Sequence, residues 1–286
     1  MSLKQTEPGN NNQDSPGLSL RRRLFRRWLP ALLGTYLLLV VTGCCNPSTP
    51  VDWVMNLPPN AEYDDLRVDE NEPTLVILQH GIWRSSSALW RLERSLEEHG
   101  YEVLNSSYPS TRKTIEEHAA LLEKHIEKRL AGREDSLPRL CFVGHSMGGL
   151  VIRSYLQRPG ARRADTCVFL GTPHRGASLA DAKKETWWFP LVMGDKAALQ
   201  LSPSSPFYTT LGSVPCAVIG TIIGGQGDDK GLHAQIPGDD DGTVGVSEAH
   251  LPEETDSVVL KTGHTRLSFT SEPIRMVLRF LKLRAF

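Results

Sequence analysis

One run of ten residues limits what this chain can become: Cys141-Phe142-Val143-Gly144-His145-Ser146-Met147-Gly148-Gly149-Leu150. Leu140 to Val143 is apolar and reads as a short buried strand. Leu150 to Leu156 has the character of a helix. Between them Gly144, Ser146 and Gly148 fill the G-x-S-x-G pattern of a nucleophile elbow. So abrupt a turn from strand to helix forces the serine into a strained backbone conformation. A side chain at 144 or 148 would collide with neighbouring backbone. The strain lifts the Ser146 hydroxyl above the sheet edge, and the Met147 N–H lies at a helix start, where it can stabilise an oxyanion. The pattern alone arises by coincidence in roughly one chain of this length in ten. A serine hydroxyl is also a poor nucleophile until a base removes its proton. The rest of the chain must therefore supply a base, an acid and a second oxyanion donor.

The order of elements around the elbow predicts an α/β architecture. Residues 74–79 form a largely apolar run, the pattern of a strand in a buried parallel sheet. Ser85, Ser86 or Ser87 can cap the following helix, which buries Leu89, Leu92 and Leu96 and stops at Gly100. A strand over 101–105 comes next. Thr114 then caps a helix with Ile115, Leu122, Ile126 and Leu130 at helical spacing. Strands over 166–170, 215–223 and 257–260 and a closing helix over 272–283 complete the series. Strands alternating with helices imply a mostly parallel sheet covered on both faces. Two stretches break the rhythm. Residues 177–211 hold Trp187-Trp188-Phe189-Pro190 and read either as a small cap over the site or as aromatics packed into the core. Residues 224–242 are rich in glycine and aspartate.

Nine histidines compete for the role of base. His145 lies inside the elbow and points the wrong way. His80 and His174 sit at strand ends and read as residues that shape the site. His99, His118 and His125 lie on charged helices and are expected in solvent, and His233 lies in the acidic loop. His264, directly after the last strand, faces the same sheet edge as the elbow, so it is preferred over His250. An acid must hold the imidazole in one tautomer. In the chain order Ser…Asp…His it comes from Asp239-Asp240-Asp241-Gly242. Asp241, followed by a glycine that permits a sharp turn, is the choice, with Asp240 next. For the second oxyanion donor, His80-Gly81-Ile82 follows the first strand, with Ile82 preferred and Trp83 the runner-up.

The N-terminal segment is different in kind. A polar stretch leads to Arg21, Arg22, Arg23, Arg26 and Arg27, then an apolar run from Trp28 to Val41 ends in Thr42-Gly43-Cys44. A basic segment, a short apolar segment and small residues make an export signal. The run is too short to favour a stable transmembrane helix. Val41-Thr42-Gly43-Cys44 resembles a bacterial lipobox, which implies cleavage, lipidation of Cys44 and, with Cys45 next, an outer-membrane location. Residues 1–44 are thus expected as a targeting segment, 45–65 as a linker and 66–286 as the folded domain. From residue 45 onward 26 Lys and Arg face 31 Asp and Glu, so attraction to anionic lipid does not anchor the domain. No basic stripe suggests nucleic-acid binding. Cys141, Cys167 and Cys216 lie in apolar runs and read as buried thiols; a Cys141–Cys167 bridge depends on geometry.

Together His80-Gly81-Ile82, Gly144-His145-Ser146-Met147-Gly148-Gly149, Gly171-Thr172-Pro173-His174-Arg175-Gly176, Asp241-Gly242-Thr243-Val244 and Gly263-His264 resemble the α/β-hydrolases, and among them secreted bacterial lipases and esterases. The resemblance implies cleavage of carboxylic esters by Ser146, His264 and Asp241, with Ile82 and Met147 as oxyanion donors. Trp83, Trp187 and Trp188 are candidates for contact with an apolar or lipid ester. The family often binds calcium near the histidine loop. Thr265-Arg266 stands where an aspartate would be needed, so neither metal nor cofactor is expected. Thioesters or acyl transfer on the same triad, or a lipid-anchored binding protein without turnover, are the alternatives.

Overall fold

The structure, a computed structural model, describes residues 66–69, 71–183 and 196–286. Its centre follows from largely apolar strands that are buried along almost their whole length, with the polar Thr74, Gln79, His145 and Thr166 buried at their ends. Every residue of β1 (Thr74–Gln79) and β4 (Thr166–Leu170) is buried, as are all but the first of β3 (Arg139–His145). Such strands need cover on both faces, and β2 (Glu102–Asn105), β5 (Val218–Gly225) and β6 (Asp256–Lys261) extend them into a six-stranded parallel sheet. The order is β2-β1-β3-β4-β5-β6, with Gln79 of β1 opposite Gly144 of β3.

The two-residue pleat period divides β1 between two cores. Leu75 and Ile77 pack with Ile115, Leu122 and Ile126 of helix α2 (Ile115–Leu130) and with Leu150 and Val151 of helix α3 (Met147–Leu156). Val76 and Leu78 pack on the other face with Leu92 and Leu96 of helix α1 (Trp90–Glu98). Val277, Leu278 and Phe280 of the closing helix α8 (Ser271–Leu283) join them there. Between α3 and α8 lie the short helices α4 (Ser178–Lys183), α5 (Ala197–Gln200), α6 (Phe207–Thr210) and α7 (Val246–Ala249). Because β1 has β2 on one side and β3 on the other, the strand order reverses there. The crevice at such a reversal is where open parallel sheets take their ligands. Both Gly81, after β1, and Ser146, after β3, lie at that crevice.

Local signals hold at two helix ends. Thr114 Oγ1 accepts the Glu117 N–H at 3.2 Å while the Glu117 carboxylate accepts the Thr114 N–H at 2.8 Å, a full capping box. Gly100 takes φ 87° beyond the end of α1. Other expectations are corrected. Ser85 precedes a 3₁₀ turn (Ser86–Leu89) rather than α1 and makes no capping bond; its hydroxyl meets that of Ser87 at 2.6 Å. His99 and His118 are buried rather than solvated, His118 because its ring packs on Tyr108 with centroids 4.6 Å apart. Cys141 and Cys167 belong to opposite faces of the sheet, so they cannot form the bridge; all three described cysteines are free thiols. In the described flanks of 177–211, Ala177, Ala180, Ala197, Ala198, Leu201 and Phe207 are buried in the same cluster as residues of α2 and α3; the aromatic centre that carries the choice between cap and core lies outside the described residues. Trp187 and Trp188 lie outside the described residues, as does Cys44.

Candidate active site

The turn from β3 to α3 has the conformation that its glycines permit. Ser146 adopts φ 57° and ψ −131°, an unfavourable region for a residue with a side chain. A Cβ on Gly148 would lie 2.2 Å from the Gln79 carbonyl oxygen, and one on Gly144 2.5 Å from the Gly149 Cα. Both neighbours are backbone at the β1–β3–α3 junction and cannot rotate away. The Ser146 N–H donates to the Leu170 carbonyl at 2.8 Å, which fixes the elbow against β4.

The turn after β6 and the acidic loop after β5 bring His264 and Asp241 to this serine. The Ser146 hydroxyl lies 2.9 Å from His264 Nε2, and His264 Nδ1 lies 2.7 Å from Asp241 Oδ2. An ionised carboxylate only accepts, so the proton of a neutral His264 is on Nδ1 and Nε2 is free to accept from Ser146. The other Asp241 oxygen, Oδ1, accepts the backbone N–H groups of Thr243 at 3.0 Å and Val244 at 2.8 Å. Backbone joins the pair as well, since the His264 N–H donates to the Asp241 carbonyl at 2.8 Å. Gly171, at φ 54°, leaves room for both; a Cβ there would stand 3.1 Å from each of Asp241 Oδ2 and His264 Nδ1.

The competing residues are accounted for by geometry. Asp240 is fully buried, but its carboxylate accepts from the N–H groups of Gly242 at 2.6 Å and His233 at 3.2 Å, not from His264. His250 pairs with Glu254 at 2.7 Å. His145 donates from Nε2 to the His264 carbonyl at 3.0 Å and so steadies the turn that carries the base. Burial, and then the nearby His264, push the His145 pKa down to about 3, so it stays neutral.

On the opposite wall of the crevice the backbone of residues 80–83 is held in one orientation. The His80 Nδ1–H donates to the Gly81 carbonyl at 2.9 Å, and His80 Nε2 accepts the Tyr108 N–H at 3.3 Å. The Tyr108 hydroxyl closes the loop on the His80 carbonyl at 2.5 Å, and the two rings stack with centroids 4.2 Å apart. Burial lowers the His80 pKa and keeps the ring neutral, as this tautomer requires. In a planar trans peptide the N–H points opposite the carbonyl. Holding the Gly81 carbonyl against His80 therefore turns the Ile82 N–H away from it, and no acceptor among the described residues takes that N–H. The Trp83 N–H, by contrast, is bound to Ser110 Oγ at 3.0 Å, which removes the runner-up donor. Gly81 lies directly against the nucleophile: a Cβ there would be 2.9 Å from the Ser146 Cβ.

Two parts of this arrangement are absent from the expected set. One is Tyr108. The other is Arg153, a buried residue of α3 that donates to His174 Nδ1 and the His174 carbonyl at 3.2 Å each and to the Gly212 carbonyl at 2.9 Å. It braces the 172–176 turn against the helix behind Ser146. Burial pushes His174 well below its usual pKa. At the mouth, Trp83 is 56% exposed and takes φ 61°, an outlier for so large a side chain. Arg84 Nη2 donates to Thr265 Oγ1 at 3.2 Å, joining the Trp83 loop to the His264 turn.

The parallel sheet and the serine turn after its third strand define the class: this is an α/β-hydrolase fold. The mature lipase BlEst2 of Bacillus licheniformis superposes with a TM-score of 0.56 at 21% identity, over 75% of this chain and 94% of the lipase. Phospholipase PlaB of Legionella pneumophila gives 0.57 at 14% identity, over 74% of this chain and 60% of the phospholipase. An esterase of Pyrococcus furiosus gives 0.51 at 19% identity, over 75% and 83%. More narrowly, residues 69–189 match the family described as "Putative serine esterase (DUF676)", which supports a hydrolase acting on esters. No curated protein matches the chain.

Proposed function

We propose that the chain hydrolyses carboxylic esters through Ser146, His264 and Asp241 by way of an acyl-enzyme. The observation that carries this reading is the unbroken hydrogen-bonded series from Asp241 through His264 to Ser146 on a strained serine. Ser146 Oγ attacks the ester carbonyl while His264 Nε2 takes its proton. The Ile82 and Met147 N–H groups receive the oxyanion, and Asp241 stabilises the imidazolium. His264 then returns the proton to the departing alcohol, and a water activated by the same imidazole releases the acid. Trp83 forms an apolar wall at the mouth. Hydrolysis of p-nitrophenyl esters across acyl lengths tests the reading: turnover dependent on Ser146 supports it, and turnover that survives Ser146→Ala rejects it.

In the same reading His80 is a positioning residue. His80→Ala frees the Gly81–Ile82 peptide to rotate, and kcat should fall about 10²-fold with KM little changed, comparable to loss of an oxyanion donor. Unchanged kcat in a variant with native thermal unfolding would remove His80 from the account.

Residues 66–286 act, in this proposal, outside the cytoplasm, tethered by residues 45–65 to a lipid on Cys44 once residues 1–43 have been removed. The supporting observation is the basic, apolar and small-residue pattern ending in Gly43-Cys44. Expressed in a bacterium, the chain should incorporate labelled palmitate and fractionate with membranes, and Cys44→Ser should lose the label. Equal labelling of the two forms would refute the anchor.

A further inference from the structure

We propose a second ligand site, at the sheet edge opposite Ser146, for a monomeric amphiphile with an anionic head and an aliphatic tail. A cleft of about 510 Å³ opens there, at the amino-terminal ends of β3, β4 and β5. That is within the size range of pockets that hold small molecules. Its apolar wall is formed by Leu130, Leu137, Leu140 and Val218, and four guanidinium groups, of Arg139, Arg162, Arg163 and Arg284, surround it.

Those four cations are not equally engaged. Arg162 grips the Glu127 carboxylate with two bonds, of 2.8 and 2.7 Å. Arg139 donates to Glu72 at 2.6 Å and to Asp165. Arg284 comes no nearer than 4.0 Å to Asp165, and to the same carboxylate oxygen that Arg139 already holds. Arg163 is exposed, with no carboxylate in ion-pair contact among the described residues. The carboxylates near the cleft are taken up by Arg139 and Arg162: Glu72 and Asp165 bind Arg139, Glu127 binds Arg162 and Glu134 adds to its field, whereas among the described residues neither Arg163 nor Arg284 has a carboxylate at hydrogen-bond distance. Arg163 and Arg284 are the donors left for an incoming anion, and a guanidinium suits a carboxylate or phosphate because it can bind both oxygens at once. The aliphatic wall has no use for a bare ion; it calls for a tail. The site is independent of the reaction assigned to Ser146.

The test is calorimetric titration of the chain with dodecanoate below its micelle concentration, beside Arg163→Glu/Arg284→Glu and the milder Arg163→Gln/Arg284→Gln. Both positions are exposed, so native unfolding temperatures are expected. Dodecanoate should bind the chain, at least tenfold more weakly the Glu pair, and with intermediate affinity the Gln pair. Acetate, a head without a tail, and dodecyltrimethylammonium, a tail with the opposite charge, should not bind here. Inhibition of ester hydrolysis by dodecanoate reports the Ser146 crevice and should be unchanged in both variants. Equal affinity of chain and variants overturns the proposal. So does binding of dodecyltrimethylammonium as tight as that of dodecanoate, or binding confined to vesicles of phosphatidylglycerol.

Discussion

Ser146→Ala is expected to lower ester turnover by about 10⁶-fold, the loss found when the nucleophile is removed from an assembled triad. The size of the effect comes from cooperation. In the proposed mechanism His264 Nε2, at 2.9 Å from Oγ, takes the Ser146 proton, and Asp241, at 2.7 Å from Nδ1, orients it for that transfer. The Ile82 and Met147 N–H groups remain, so a small residual rate through oxyanion binding is expected. Among the described residues the side chain makes no hydrogen bond except that to His264, and alanine is smaller, so the fold should survive. Native circular dichroism with activity near that of the wild type would remove Ser146 from the mechanism.

Asp241→Asn should cost about 10⁴-fold in kcat, and the structure says why an isosteric change does so much. Oδ1 accepts two backbone N–H groups, from Thr243 and Val244, so the amide oxygen of an asparagine must take that position. The amide NH₂ is then left facing His264 Nδ1, at the place where a carboxylate oxygen stood at 2.7 Å. Nδ1 can no longer donate; it must accept, and the proton moves to Nε2. That tautomer cannot take the Ser146 proton. Asp240→Asn, whose carboxylate meets only backbone N–H groups among the described residues, should leave kcat within a few-fold. Comparable losses at the two positions would contradict the assignment of the acid.

Much of this was readable in the chain because the physical demands are local. The elbow needs glycine where backbone crowds it, and Gly144 and Gly148 are where a Cβ would meet backbone at 2.5 and 2.2 Å. The strands of a two-sided sheet are largely apolar, so the runs 75–78 and 167–170 inside them declare themselves. Among Asp239, Asp240 and Asp241, three identical residues in a row, the following Gly242 was the one local signal that favoured Asp241. The folded turn separates them fully, giving Asp241 two N–H donors and directing its other oxygen to His264. Tyr108 was hidden for a related reason. It lies in a polar stretch, Ser106-Ser107-Tyr108-Pro109-Ser110, that reads as an ordinary loop, and its role depends on that loop folding over the end of β1 to meet His80. Arg153 and His118 occupy positions that a charged or polar side chain usually gives to solvent. Helical position alone does not reveal that the 172–176 turn and the Tyr108 ring cover them.

The central claim, that Ser146 is an activated nucleophile, is tested most directly by reaction with a fluorophosphonate. Activation by His264 and Asp241 predicts one phosphonyl adduct per chain, located by peptide mass to Ser146. The adduct should be absent from Ser146→Ala and formed far more slowly in Asp241→Asn. No adduct on a folded chain, or equal labelling of Ser146→Ala at another residue, would contradict it.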